Sequence, residues 1–317
     1  MRKIESRLML LAVCLLTFGA GAGAQTSNEF SGSLALPSLG ICRDAAAAGM
    51  GFAGRASTSA TTYSAFSNSA MIPFADRDLS AGLSFQGWAP GGEKSTNIAL
   101  GSAFTLGDRF AISVGAALQN GAEYEIYDQT GTLRGTDRTR DMLFGLGFGY
   151  RFLDKFSAGV NLKYAGQTLA EDASLSAFAA DVFLAYCSGG LSVTAGVSSV
   201  GTSVSSASGD SFSIPSSAAV GLGYDLDFAG KHGVNFLLDA DYYFNGGIAA
   251  ALGAEYSFND MIFARAGYHY GTSKAILPSF VTVGLGARFV GIDINFAYLT
   301  GNDLIGNTLT VGLGYSF

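Results

Sequence analysis

The chain has 317 residues, of which 14% are charged, 49% are hydrophobic and 44 are glycines, and its formal net charge is −7. An acidic chain with so few charges is a poor partner for nucleic acid, because phosphates attract basic surfaces. Beyond the first two dozen residues, no apolar run approaches the ~18 residues that a membrane-spanning helix needs. The apolar residues are instead spread by alternation, which is how a closed β-barrel distributes them.

The chain begins with a predicted secretory signal peptide at residues 1–24. It has a basic start, an apolar run and a small-residue cleavage site at Ala22-Gly23-Ala24. The apolar run is too short to span a membrane as a helix. We therefore expect export, with a mature chain that begins at Gln25.

Period-two alternation recurs through residues 77–317 and predicts fourteen strands. The predicted spans are 78–88, 95–106, 109–120, 140–152, 155–167, 175–187, 190–199, 214–226, 232–244, 248–258, 262–270, 279–289, 292–300 and 306–317. Short turns such as Val290-Gly291 alternate with long loops, of which residues 119–138 are the longest. Short turns on one rim and long loops on the other are typical of outer-membrane barrels.

The last predicted strand shows the pattern most clearly. Apolar residues from Leu309 to Phe317 alternate with Thr, Gly and Ser. One face is therefore apolar, while the other lacks the charges that cover the solvated side of a soluble sheet. We predict an all-β fold, a transmembrane antiparallel barrel of about fourteen strands that is surrounded by lipid in the bacterial outer membrane. A soluble β-sandwich is the alternative.

Outward-facing aromatic residues concentrate at the two ends of the predicted strands, as in the girdles of membrane barrels. Near the short-turn rim they are Phe104, Phe110, Tyr150, Phe152, Phe156, Tyr186, Tyr224, Tyr256, Phe258, Phe289, Tyr315 and Phe317. Near the opposite rim they are Tyr164, Tyr242, Phe244, Tyr268, Tyr270 and Tyr298. The outward face also lacks charge through the middle of each strand, which weakens the sandwich alternative.

Glycines dominate the inward face of the predicted strands. They include Gly82, Gly101, Gly115, Gly145, Gly147, Gly149, Gly159, Gly196, Gly221, Gly223, Gly253, Gly284, Gly286, Gly312 and Gly314. Because glycine permits close approach of another backbone, this wall indicates room for an inserted segment. We predict that residues 25–76 form an internal plug with a short helix near Tyr63–Met71. The alternatives are glycines that only relieve curvature and a disordered periplasmic leader.

The stretch Asp44–Met71 resembles the amino-terminal signature of the PorV/PorQ family, which belongs to the wider group of FadL-type barrels. The matching residues are Ala48, Gly49, Met50 and Gly51 in an "AGMG-A" run, and Asn68 and Ala70 in an "N-P-A" motif whose proline is replaced by Ser69. The resemblance implies an outer-membrane barrel with an internal plug. It also implies a non-enzymatic role in protein secretion or outer-membrane assembly, with secretion-machinery proteins as partners. FadL-like passage of hydrophobic solutes is the alternative.

Few polar residues have inward parity, and they are Lys163, Asp181, Asp239, Asp241, Glu255, Arg265, His269, Arg288, Asp293 and Asn295. Arg288 faces Asp293 across the Val290-Gly291 turn, and Glu255 opposes Arg265 if residues 259–261 form a three-residue loop. Because charges in a confined lumen need partners, we predict structural ion pairs. The alternative is a polar track for a ligand or for the plug.

The sequence gives little support for an enzyme. His232 and His269 are its two histidines, and no nucleophile or second metal ligand can be placed beside either of them. We therefore predict no catalytic site, no metal and no cofactor.

Cys42 and Cys187 are the two cysteines of the predicted mature chain. Export would place both in an oxidising compartment. Parity puts Cys187 on the lumen face near the short-turn rim, and Cys42 precedes the plug, which must enter from that rim. A disulfide between them is therefore a candidate tether, with two unpaired thiols as the alternative.

Overall fold

The computed structural model describes residues 34–88, 95–128, 130–170, 173–205, 211–303 and 305–317. The predicted signal peptide and residues 25–33 of the predicted plug lie outside these ranges. Among the described residues, the helices are all too short to cross a membrane.

Fourteen antiparallel strands close into a barrel, as the alternation predicts. They are β1 (Leu79–Trp88), β2 (Ser95–Leu106), β3 (Phe110–Tyr127), β4 (Leu133–Leu153), β5 (Phe156–Ala170), β6 (Ala173–Ser188), β7 (Leu191–Gly201), β10 (Ser217–Phe228), β11 (His232–Tyr243), β12 (Ile248–Phe258), β13 (Ile262–Gly271), β14 (Phe280–Phe289), β15 (Ile292–Thr300) and β16 (Thr308–Ser316). Two short strands, β8 (Val204–Ser205) and β9 (Ser211–Phe212), pair with each other between β7 and β10. The barrel closes where β1 pairs with β16, for example at Gly82 and Gly314.

The hairpin formed by β3 and β4 is longer than the sequence predicts. β3 continues to Tyr127 and β4 begins at Leu133, so most of the predicted loop at 119–138 is strand. Beyond the apolar belt the two strands carry charges, and Glu123 pairs with Arg138 in register and as an ion pair. The backbone ladder therefore continues after the alternation of apolar residues has stopped.

The two rims of the barrel differ in the length of their connections. The turn at Val290-Gly291 is tight, with φ of 50° and 80° at its two residues, and positive values at both positions match a two-residue hairpin turn. In barrels of this class the short-turn rim faces the periplasm and the long-loop rim faces outward.

The outer face of the barrel is apolar. Large side chains such as Phe178, Leu285 and Val283 are more than half exposed. The predicted aromatic residues lie at the two rims, and most of them are exposed, although Tyr164 and Tyr186 are half-buried. A closed barrel with such a surface is stable only in lipid, which places the protein in the bacterial outer membrane.

Residues 34–75 precede the barrel and are here named the inserted segment. Its helical elements are a 3-10 turn at Pro37–Gly40, helix α1 (Ala45–Ala48) and 3-10 turns at Ser64–Phe66 and Ser69–Phe74. The single helix predicted near Tyr63–Met71 is therefore two turns. Asn68 separates them because its extended backbone interrupts the helix, while its side chain accepts a hydrogen bond from Ala70 N and caps the second turn.

The inserted segment packs against the inward face of the strands. Helix α1 contacts β14, β15 and β16, whereas the turn at Ser69–Phe74 contacts β2 to β6 on another part of the wall. The wall glycines make these contacts possible. A Cβ on Gly267 would lie 2.1 Å from the Met50 carbonyl carbon, and a Cβ on Gly159 would lie 2.2 Å from Ala70 N. Close packing against the segment, and not curvature alone, requires glycine at these positions.

Candidate functional site

Two aspartates of β11 hold the middle of the inserted segment. Asp239 Oδ2 accepts hydrogen bonds from the backbone N–H groups of Gly54 and Arg55, each at 2.9 Å. Asp241 forms an ion pair with the Arg55 guanidinium at 3.0 Å. The sequence places both aspartates on the lumen face but does not identify Arg55 as their partner, because the segment around Arg55 has no periodic pattern from which to infer its position.

The glycines of the family motif contact the wall through their backbones. Thr282 Oγ1 accepts a hydrogen bond from Gly51 N at 2.8 Å and donates one to Gly49 O at 2.9 Å. Gly51 has a φ of 70°, and a Cβ there would lie 2.7 Å from Tyr268 N, so both conformation and space require glycine. Met50, between them, is buried in a cluster with Leu237 on the wall.

The second part of the motif also has a structural position. Asn68 Nδ2 donates a hydrogen bond to Arg55 O at 2.9 Å, which joins two parts of the inserted segment. Ala70 is fully buried. Ser69, which replaces the motif's proline, shares a 2.8 Å hydrogen bond with Ser113 and donates one of 2.5 Å to Asn161 Oδ1. These hydrogen bonds require a hydroxyl group that proline lacks.

The structure brings together the ionisable residues that the sequence analysis pairs. Arg265 Nε lies 2.5 Å from Glu255 Oε2, and Arg288 forms an ion pair with Asp293. Arg265 Nη1 also donates a hydrogen bond of 2.8 Å to Asn295 Oδ1. All of these groups lie in the periplasmic half of the lumen.

A further ion pair, between Lys163 and Asp181, is missed by the sequence analysis. Its two charged atoms lie 2.6 Å apart, and the side chains are almost completely buried. Lys163 pairs in register with Ala179, and Asp181 with Asn161, so the contact is diagonal across β5 and β6. Inward parity on neighbouring strands is the signal that could have identified it.

Cys42 and Cys187 are both free, which agrees with two unpaired thiols and not with the candidate tether. Cys187 lies near the periplasmic rim, as expected. Cys42 lies deeper, in a cavity that is also lined by Tyr243 and Ile276 near the long-loop rim. Burial raises the pKa of the Cys42 thiol to about 12, so the thiol stays protonated and weakly reactive.

Both histidines contact neighbouring groups of the fold. His269 stacks on Phe280 with ring centroids 4.7 Å apart, and its Nδ1 lies 3.3 Å from Gly51 O. His232 shares a hydrogen bond of 2.7 Å with the Tyr256 hydroxyl near the periplasmic rim. Within the described ranges, no cluster of three or more His, Cys, Asp or Glu side chains could hold a metal ion.

Three adjoining cavities lie along the lumen. The central cavity, of about 150 Å³, lies between the inserted segment and the halves of β11 to β13 that are nearer the long-loop rim. The connecting cavity, of about 80 Å³, shares Asp44, Ala60 and Tyr63 with it. The periplasmic vestibule, of about 790 Å³, shares Ser59 and Thr62 with the connecting cavity. The cavities therefore follow one another from the outer half of the lumen to the periplasmic rim, and residues of the inserted segment line all three.

The chemical character of the lumen changes along this axis. Near the long-loop rim, buried apolar side chains such as Leu39, Leu143 and Phe280 fill the space between the wall and the segment. The periplasmic vestibule is instead lined by six acidic and two basic residues. The lumen thus changes from apolar packing near the long-loop rim to an acidic, open compartment at the periplasmic rim.

Neither a family model nor a curated protein matches the sequence. Solved structures match the fold. The toluene transporter TodX of Pseudomonas putida has a TM-score of 0.60 at 16% identity, over 85% of this chain and 96% of TodX. The toluene transporter TbuX of Ralstonia pickettii has a TM-score of 0.59 at 12% identity, over 85% and 96%. A FadL homologue of Pseudomonas aeruginosa has a TM-score of 0.51 at 12% identity, over 86% and 95%.

The fold is that of FadL-type outer-membrane channels. At these identities the likeness establishes the architecture and no more. No comparison supports the PorV/PorQ family specifically, so the finer part of the sequence resemblance has no support beyond the short motif itself.

Proposed function

We propose that this protein is a non-enzymatic channel that lets small hydrophobic molecules cross the outer membrane. The neighbouring folds include toluene transporters, and the apolar long-loop half of the lumen suits such solutes. This is the alternative that the sequence analysis keeps open. A role in protein secretion has no support from the comparisons, and no observed surface favours it.

The succession of cavities is the observation that carries the proposal. A solute in the central cavity would pass the connecting cavity and leave through the vestibule. The central and connecting cavities are small, because the inserted segment occupies most of the lumen around them. The segment therefore acts as a plug that narrows this route. Its residues Asp44, Ala60 and Tyr63 form the junction that a solute must pass.

Truncation of Tyr63 tests this route. Tyr63 is buried at the junction between the two cavities, so Tyr63→Ala should widen it and raise the initial rate of uptake severalfold. The measurement is uptake of radiolabelled toluene by cells whose outer membrane contains the protein, with cells that lack it as the baseline. The lipopolysaccharide layer keeps that baseline low.

A matched control is Tyr256→Ala, which removes a lipid-facing tyrosine that is 43% exposed and should leave uptake unchanged. The proposal fails if cells with the unaltered protein take up toluene no faster than cells without it. Equal uptake by the Tyr63→Ala and unaltered proteins would place the route elsewhere.

A further inference from the structure

The central cavity has two unlike sides. One side is apolar and includes Leu39, Phe52, Phe66 and Ile276. The other side is ionic and includes the ion pair between Arg55 and Asp241, whose side chains are 16% and 15% exposed. A cavity built only for hydrocarbons would lack the second side, because charged groups lose hydration next to an apolar ligand.

The size of the cavity limits what it can hold. Its volume is about 150 Å³, and an engineered apolar cavity of about that volume in another protein binds benzene. One six-membered ring with one or two small substituents is therefore about the largest ligand that fits without movement of the inserted segment.

Unused hydrogen-bonding capacity borders the same cavity. His269 is 8% exposed and Asp239 is 5% exposed, and both line the cavity. His269 Nε2 has no hydrogen-bond partner among the described residues. Buried polar atoms without partners are costly, so a ligand that supplies one is favoured over a ligand that does not.

A hydroxyl group meets this requirement. It is both a donor and an acceptor, so it can bond to an imidazole nitrogen in either tautomer. The ring that carries it would lie against the aromatic side. Phe52 already contacts the edge of the His269 ring, with centroids 6.0 Å apart, so the apolar and polar sides meet at this histidine.

We propose that the central cavity binds a monocyclic aromatic compound that carries a hydroxyl group, with His269 as its hydrogen-bond partner. This inference rests on the proposed function and narrows its substrate class from hydrophobic solutes in general to phenols. The structures of similar fold include a toluene transporter and a monoaromatic hydrocarbon channel, so a preference for a hydroxyl group would distinguish this chain from the solutes that their names give.

The test compares p-cresol with p-xylene, which differ only in a hydroxyl that replaces a methyl group. Binding to the full chain in lipid nanodiscs is measured by calorimetry, with empty nanodiscs subtracted to remove partitioning into lipid. We expect p-cresol to bind about tenfold more tightly, as one buried hydrogen bond allows. Equal binding, or tighter binding of p-xylene, would overturn the proposal.

His269→Phe should remove this preference. Phenylalanine keeps the stacking on Phe280 but has no nitrogen, so p-cresol affinity should fall about tenfold while p-xylene affinity stays within about twofold. His232→Phe is the matched control, because it makes the same change at the periplasmic rim, outside the cavity. His269→Gln restores a polar group and should recover part of the preference. An unchanged preference in a folded His269→Phe protein would contradict the assignment.

The two proposals can fail separately. If cells take up neither compound faster than cells that lack the protein, the channel function is wrong, whatever the binding data show. If the protein accelerates toluene uptake but binds p-cresol no more tightly than p-xylene, the channel function is supported and the phenol site is wrong.

Discussion

The two faces of the barrel wall reverse the usual relation between side-chain character and burial. On the outer face, Leu285 is 65% exposed and Phe289 is 69% exposed, whereas Lys163 and Asp181 on the inner face are 2% and 0% exposed. Soluble proteins bury the first kind of residue and expose the second. The outer face is therefore solvated by lipid, and the protein core lies between the inner face and the inserted segment.

The inner face is also the more demanding of the two. Lipid adapts to any apolar outline, so an outward leucine can be replaced by another apolar residue at little cost. The inner face must instead match a folded segment atom by atom and pair each charge that it buries. Substitutions on the inner face should therefore be tolerated according to fit, and those on the outer face according to polarity.

The largest effect is expected at the buried ion pair. Lys163→Met leaves the Asp181 carboxylate buried without its countercharge, although Ser199 N still donates to it at 2.7 Å, and should lower the free energy of unfolding by about 3–5 kcal/mol. Denaturant unfolding in lipid vesicles measures this change. Arg138→Met is the control, because its pair with Glu123 is half exposed and exposed ion pairs contribute little to stability.

The double variant Lys163→Met with Asp181→Leu sharpens this prediction. Removing both charges also removes the unpaired carboxylate, so most of the lost stability should return. If the single and double variants have the same free energy of unfolding, the lost stability comes from the changed side-chain shape and not from the unpaired carboxylate.

A charged substitution on the outer face should lower the free energy of unfolding wherever the position lies near the middle of the bilayer. Leu313 is 53% exposed on β16, and Leu313→Arg should cost about 2–4 kcal/mol if the position lies near the bilayer midplane. Leu313→Val, an apolar exchange, should stay well below that value. Equal stability of the Arg and Val variants in vesicles would mean that this face does not contact lipid.

The smallest effect is expected where the inner face is tightest. Gly267→Ala would place a Cβ 2.1 Å from the Met50 carbonyl carbon, and such overpacking should cost about 1–3 kcal/mol. Gly314→Ala is the matched control, since its nearest neighbour would be Ala81 O at 3.5 Å, an ordinary contact. If unfolding measurements give the two variants the same stability, the inserted segment does not press against the wall at Gly267.

The barrel could be predicted from the sequence because a strand in this environment carries two independent signals, apolar residues outward and small residues inward. The same period fails at residues 119–138, where charges replace the apolar residues although the ladder continues between β3 and β4. The alternation of apolar and small residues depends on contact with lipid and not on backbone hydrogen bonding. It therefore predicts where the lipid-facing part of a strand ends, but not where the strand itself ends.

The contents of the lumen were harder to predict. Parity places Asp239 and Asp241 on the inner face, but only the fold shows that Arg55 reaches them. The sequence leaves the pairing of the cysteines open for a related reason: the path of the inserted segment carries Cys42 away from the rim, and that path depends on packing against many strands. Pairs that bracket a short turn, such as Arg288 and Asp293, could be predicted because the turn fixes their register.

The seam between β1 and β16 has a consequence for assembly. The inserted segment leads the chain, yet helix α1 contacts β14, β15 and β16, which are made last. The segment can therefore complete its docking only when the final strands arrive, and the seam must close around it. Barrel closure and segment docking become one late event that joins distant parts of the chain, which is the kind of step that makes folding slow. An assembly factor that holds the sheet open during this interval would act on a barrel whose lumen is already being filled.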